Sequence, residues 1–172
     1  MHEYLTEALV LDKTAANETD LTVDLYTKEL GRIKAKVTSG QKIISKLSPH
    51  LEPLNFSLVR LTEKNGFVVA DALTQNKIKI SKQALKLLAA IRELVFFEEI
   101  DPKLWFWLKK SLSAKSLIFF GQFLKILGYD PKLAECHRCH SRWVKYFLVA
   151  DQIFLCRRCG FKIPPNALLL NL

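Results

Sequence analysis

The four cysteines of the chain stand as Cys136-His137-Arg138-Cys139 and Cys156-Arg157-Arg158-Cys159. The spacing C-x2-C-x16-C-x2-C falls in the range of a structural zinc site. Two residues between ligands form a tight knuckle that turns both sulfurs toward one ion, while backbone N–H groups support the thiolates. The intervening Ser141–Leu155 is long enough for a hairpin that returns the second knuckle to the first. Four thiolates around Zn2+ leave a net charge of about −2. Arg138, Arg142, Arg157 and Arg158 are close enough in sequence to offset it. Two disulfides, or the free thiols of a redox protein, are the competing chemistries. The start Met1-His2-Glu3-Tyr4 has no basic segment followed by an apolar one, which argues against secretion and hence against disulfides. A redox motif would not need two matched knuckles. His137 and His140 lie within and beside the first knuckle, but four thiolates already complete a tetrahedral shell. With every position taken by protein, none is left for an activated water, so the expected Zn2+ is structural, not catalytic.

A run of cations is the second group that could do chemistry. From Gly31 to His50 there are Arg32, Lys34, Lys36, Lys42 and Lys46, and no acid. Arg32, Lys34 and Lys36 alternate with Ile33, Ala35 and Val37. On a strand this arrangement sets the three cations on one face, a track about 14 Å long. Such a track neutralises successive phosphates and binds without sequence choice. A solvated sheet face with no dedicated partner is the plainer alternative. The net charge is +9, and its distribution is uneven. Residues 1–74 carry 9 Lys/Arg against 10 Asp/Glu, residues 75–130 carry 10 against 5, and residues 131–172 carry 7 against 2. A balance of this kind favours a polyanion, nucleic acid before membrane. The chain has no Gly-rich phosphate loop, no His-Asp-Ser or Cys-His arrangement and no carboxylates paired at useful spacing. Asp20 and Asp24 share one side of a strand and read as surface. A binding protein without catalytic residues or a small-molecule substrate is therefore expected.

Hydrophobic residues make up 49% of the chain and charged ones 25%, which excludes wholesale disorder. The most apolar stretch, Leu94–Leu108, is broken by Glu98, Glu99, Asp101 and Lys103, so no membrane span is expected. A soluble intracellular protein is the working expectation. Up to about Thr74 the pattern has period two: Tyr4–Leu11, Leu21–Tyr26, Arg32–Thr38, Phe56–Glu63 and Phe67–Thr74. Lys28-Glu29-Leu30-Gly31 and Asn65-Gly66 supply hairpin turns. Five short strands in such a length predict a small closed or partly closed barrel, of which the oligonucleotide-binding (OB) fold is one solution. Helices follow. Ser81 caps one running to about Glu99, Asp101-Pro102 opens a second, and a third spans about Ala114–Leu127 and stops at Gly128. Trp105 and Trp107 on the second read as core rather than as base-stacking residues. The fold class is thus α+β. The expected division is a nucleic-acid-binding barrel over residues 1–76, then a helical domain over 77–172 that carries the cysteine knuckles at 136–159.

The stretch Glu29-Leu30-Gly31-Arg32-Ile33-Lys34-Ala35-Lys36-Val37-Thr38-Ser39-Gly40-Gln41-Lys42-Ile43-Ile44-Ser45-Lys46-Leu47, then Leu51-Glu52-Pro53-Leu54, resembles the RecO family of bacterial recombination mediators. Ala8-Leu9-Val10-Leu11 and Glu18-Thr19-Asp20 are similar to that family's first strand and the acidic loop after it. Leu127-Gly128-Tyr129-Asp130-Pro131 is similar to the helix stop before its zinc module. The resemblance implies an OB barrel, a helical domain and a four-cysteine zinc module. It also implies binding of single- and double-stranded DNA, strand annealing, and recombinase loading in DNA repair with RecR and single-strand-binding protein. The location implied is the cytoplasm of a bacterium, at the nucleoid. The chain departs from the family in being several tens of residues shorter than usual members. The alternative function is an OB-fold and zinc-ribbon protein that binds RNA or the ribosome. Such proteins use 2′-hydroxyl contacts or exposed aromatics, and segment 31–50 contains no aromatic, which favours backbone-tracking DNA binding.

Overall fold

The computed structural model describes residues 2–41, 45–113 and 120–172. The alternating half of the sequence forms β1 (His2–Ala15), β2 (Leu21–Thr27), β3 (Gly31–Val37), β4 (Asn55–Glu63) and β5 (Phe67–Lys77). A turn of 3-10 helix at Ser48–Leu51 precedes β4. The strands close in the order β1-β2-β3-β5-β4. All neighbours are antiparallel except β3 and β5, which meet in parallel at Ala35↔Phe67 and Lys36↔Val68. This is the five-stranded OB barrel. β1 closes it by serving two partners. Its first half, His2–Leu9, pairs with β4, and Ala8–Ala15 pairs with β2. A register shift between Val10 and Asp12 bends the strand from one partner to the other.

Alternation then assigns the two faces. Val23, Leu25, Ile33, Ala35 and Val37 fill the barrel together with Val10, Val59 and Leu61. Lys34 and Lys36 are exposed on the outside, so the expected register holds. Leu9, Leu11, Tyr26, Leu54 and Phe56 also point out of the barrel, yet they are buried against a helical layer. β1 therefore buries both faces, which explains its unbroken run Ala8-Leu9-Val10-Leu11. Each fully buried Leu, Ile or Phe contributes about 1.5–3 kcal/mol.

The layer consists of α1 (Lys82–Leu94), α2 (Pro102–Ser113) and α3 (Phe120–Ile126). The Ser81 hydroxyl caps α1 by accepting from the Ala84 N–H at 3.1 Å. The Asp101 carboxylate caps α2, accepting from Lys103 and Leu104. Trp105 is buried edge-on to Phe56 at 5.9 Å, and Trp107 stacks on Phe123 at 5.7 Å. Both thus belong to packing. α1 stops at Leu94, short of the expected Glu99, because the chain there leaves the helix to lie along β3, where the Glu98 N–H donates to the Arg32 carbonyl at 2.8 Å. Of the expected third helix, residues 114–119 lie outside the described ones. Among the described residues no helix is long and apolar enough to cross a membrane.

The last part contains β6 (Val144–Leu148), β7 (Ile153–Cys156), α4 (Arg157–Gly160) and β8 (Leu169–Asn171). The sheet order is β7-β6-β8, so the apolar tail is an edge strand on the cysteine hairpin. Phe147, Val149 and Leu170 pass from this sheet into the helical core.

Candidate metal centre and nucleic-acid interface

The β6–β7 hairpin brings the two cysteine pairs together, as the spacing predicts. The four Sγ atoms of Cys136, Cys139, Cys156 and Cys159 lie within 4.8 Å of one another, and Cys139 and Cys156 are 3.6 Å apart. Tetrahedral Zn–S bonds of about 2.3 Å set sulfurs roughly 3.8 Å apart, whereas a disulfide needs about 2.05 Å. The cysteines are free thiols at the separation an ion requires. The first knuckle is closed by the His140 N–H donating to the Cys136 carbonyl at 2.8 Å. Burial opposes a Cys136 thiolate, but the backbone N–H groups of Cys156, Cys139 and Arg138 outweigh it and hold the thiol down to about 6. Burial, then the surrounding sulfurs, push Cys159 up to about 12. A cation at the centre would draw the four sulfurs toward the thiolate form.

Packing around the cluster is tight. A Cβ on Gly160 would lie 2.2 Å from the Tyr146 ring. His140 is exposed and turns its Nδ1 to Glu135 at 3.1 Å, and His137 is exposed as well. Among the described residues the four-cysteine group has no histidine member. Arg138, Arg142, Arg157 and Arg158 are all exposed and none forms a salt bridge within the described residues.

The cationic strand differs from its expected form. Arg32 does point out of the barrel, but it is only 7% exposed. Its Nε and Nη2 donate to the Asp24 carboxylate at 3.1 and 2.7 Å, and its Nη1 donates to the carbonyls of Val95, at 3.0 Å, and Arg92. The guanidinium is thus a buried clamp between strand and helix end, not part of an open track. Asp24, a surface residue by its sequence pattern, is instead buried as its counter-charge. Asp20 is buried too. It accepts from Lys36 at 2.8 Å, from the Ser39 N–H at 2.8 Å and from Asn17 at 3.1 Å. These donors, Lys36 foremost, hold its carboxyl well below the usual carboxylate range.

Three of the five expected cations remain in view. Lys34 is exposed and forms no salt bridge among the described residues, Lys36 is exposed but paired to Asp20, and Lys46 is exposed after the loop. Lys42 lies outside the described residues. Beside Lys34 a polar cleft of about 230 Å³ opens between the barrel and α1. Its lining balances Asp12, Asp24 and Glu93 against Arg32, Lys34 and Arg92, so it is not an anion pocket.

Sequence reasoning missed one neighbour of this face. Phe97, on the connection after α1, sets its ring 4.3 Å from the Arg32 guanidinium carbon and 5.5 Å from Lys34 Nζ. Nothing local in the sequence signals the juxtaposition, since 65 positions separate Phe97 from Arg32.

A closed OB barrel backed by a helical layer and a four-cysteine hairpin defines an OB-fold protein with an appended cysteine module fit to hold a metal ion. Residues 1–76 match the family described as "Recombination protein O N terminal". Across 96% of its length the chain is 28% identical to the "DNA repair protein RecO" of Dehalococcoides mccartyi, covering 76% of that protein. It is 25% identical, over 93% of its length, to the protein of the same name from Thermodesulfovibrio yellowstonii, covering 71% of it. The Thermoanaerobacter protein of that name is 26% identical over 91% of this chain and is covered to 71%. Over most of its length the chain is thus similar to proteins named for RecO, and its first 76 residues match the model of that family's N-terminal domain.

Proposed function

We propose that this chain is a DNA-repair mediator that binds single- and double-stranded DNA, anneals complementary strands and assists recombinase loading. The observation that carries the reading is the outer face of β3, where Lys34 and Lys36 stand exposed on a barrel of the OB type. The relatives' common name, "DNA repair protein RecO", supports the role. In this reading residues 1–76 are the DNA-binding domain and 77–172 the helical domain with its cysteine module. Lys34, Lys36 and Lys46 hold phosphates, with Lys42 added from the sequence. Arg32 positions the strand through Asp24. Cys136, Cys139, Cys156 and Cys159 hold one Zn2+, which supplies folding energy to the module and no catalytic step. RecR and single-strand-binding protein are the partners in this reading, and the bacterial cytoplasm the location.

The mechanism is electrostatic. A strand laid on ammonium groups loses part of its phosphate repulsion, so a complementary strand approaches and pairs faster. A Lys34→Ala/Lys36→Ala double variant tests it. Each lost phosphate contact on a single strand lowers the magnitude of the log K against log salt slope by about 0.7, so the pair lowers it by about 1.4. Annealing slows in step, and oligonucleotides of any sequence weaken alike, because phosphate contacts carry no base information. A folded double variant with wild-type slope and annealing rate overturns the β3 reading and transfers the binding to Arg138, Arg142, Arg157 and Arg158.

A further inference from the structure

We infer that Phe97 is a base-stacking platform for single-stranded DNA whose backbone runs over Lys34 and Lys36. The inference rests on the β3 reading above and adds to it a contact with the bases. After α1 the chain lies parallel to the start of β3: Arg32 and Phe97 form a bridge, and the Glu98 N–H donates to the Arg32 carbonyl at 2.8 Å. Arg32 holds the same segment from below through the Val95 and Arg92 carbonyls. The approach is close enough to require glycine at position 31, where a Cβ would lie 2.3 Å from the Glu99 carbonyl oxygen. Glu98 takes a φ of +61°, a left-handed conformation unfavourable for a residue with a side chain. Backbone hydrogen bonds and a buried ion pair thus fix this segment, while the side chains beyond Val95 stay out of the core. Phe96 is 75% exposed, Phe97 49% and Ile100 55%.

A fixed backbone that displays an aromatic ring in contact with an ammonium, one that forms no salt bridge among the described residues, has the chemistry of a single-strand site. Bases stack on such rings whatever their identity, because each has a π face. With Lys34 Nζ 5.5 Å from the ring centroid, base and phosphate of one nucleotide are served together. The Arg32 guanidinium packs against the ring, 4.3 Å from its centroid. Duplex DNA offers no free base face, so the platform selects single strands, which a phosphate track alone does not.

The test compares wild type, Phe97→Ala, Phe97→Leu, Phe97→Trp and Lys34→Ala/Lys36→Ala on oligo(dT) and on a duplex of equal length across a salt series. Thermal unfolding checks the fold of each. Phe97→Ala and Phe97→Leu should weaken oligo(dT) binding about 5- to 150-fold, the worth of one stacked base. Duplex affinity and the salt slope should stay at wild-type values. Leu keeps the Arg32 clamp covered, so a loss shared by Leu and Ala belongs to the ring and not to a loosened segment. Phe97→Trp should bind as wild type, and oligo(dT) should quench its emission by more than it quenches the three native tryptophans. Wild-type oligo(dT) affinity in Phe97→Leu, an equal loss on duplex, or no added quenching in Phe97→Trp overturns the platform. If the lysine pair alone lowers affinity, the platform falls and the β3 reading stands. If neither alters binding, both fall.

Discussion

The barrel and the cysteine module are both small and built on hairpins, but they hold together differently. The barrel encloses its own apolar core, with Val10, Val23, Leu25, Ile33, Val59 and Leu61 at its centre. In the module the fully enclosed cluster is Leu148 and Leu155 with three of the four cysteines. A core that small does not offset the entropy of ordering its chain, and small domains of this kind depend on a metal or a cross-link. The charges differ as well. Arg32 and Lys36 on β3 each meet a buried aspartate, whereas the four arginines of the module meet no acid among the described residues. Cations of the module are available to balance a thiolate centre. Those of the barrel are divided between holding the strand and facing solvent. A count of cations therefore says little about a binding face until their partners are known.

The largest expected effect separates the two regions by stability. Cys156→Ser, or stripping the metal with a chelator, should unfold the module and cost it several kcal/mol, since metal-binding energy is folding energy here. Phe147 and Leu170 leave the shared core with it, so the helical layer should loosen. The barrel, whose interior is its own, should stay folded. Elemental analysis should find one zinc per chain, and hydrogen exchange should show protection kept in residues 2–37 and lost after 134. Loss of protection in both regions at once would break the comparison.

A smaller effect is expected inside the barrel. Asp24→Asn leaves the Arg32 guanidinium buried without its counter-charge, which costs about 3–5 kcal/mol in such pairs. Denaturant unfolding of the chain should show it. Salt should not rescue the loss, because a buried pair is little screened. A cost under about 1 kcal/mol, the range of an exposed pair, would mean that the clamp is ornamental.

The smallest effect is a pH dependence. The Asp20 carboxyl is held below the usual range by Lys36, Ser39 and Asn17. A depressed pKa contributes stability that is complete above the unfolded value, near 3.9, and is lost as pH falls toward the folded value. Asp20→Asn should therefore lower the melting temperature at neutral pH, and the difference from wild type should shrink progressively below about pH 4. A gap that stays constant down to pH 2 would assign the loss to packing rather than to charge.

Period-two alternation, together with Asn65-Gly66 and Gly31, was enough to predict five strands, their turns and which residues of β3 line the interior. Those signals are local, and a one-residue slip would have exposed the whole apolar set. The cysteine spacing specified a four-sulfur cluster closed by a hairpin for the same reason: a two-residue knuckle has few geometries. The caps at Ser81 and Asp101 were equally readable. The end of α1 was not, because Val95–Glu98 is helix-compatible in sequence and is drawn out of the helix only by β3. What alternation could not reveal was the fate of an outward side chain, for outward in a barrel means toward solvent or toward another layer. Arg32 and Lys34 are equivalent in the sequence pattern, yet one is sealed under the end of α1 and the other is open. That choice depends on a segment more than 60 positions away, and so do the burial of Asp24 and the place of Phe97 beside Lys34. Local spacing determined which side of the strand each residue takes. Only the packing of distant backbone decided which of those residues still meets water, since burial belongs to the assembled layers and not to any strand alone.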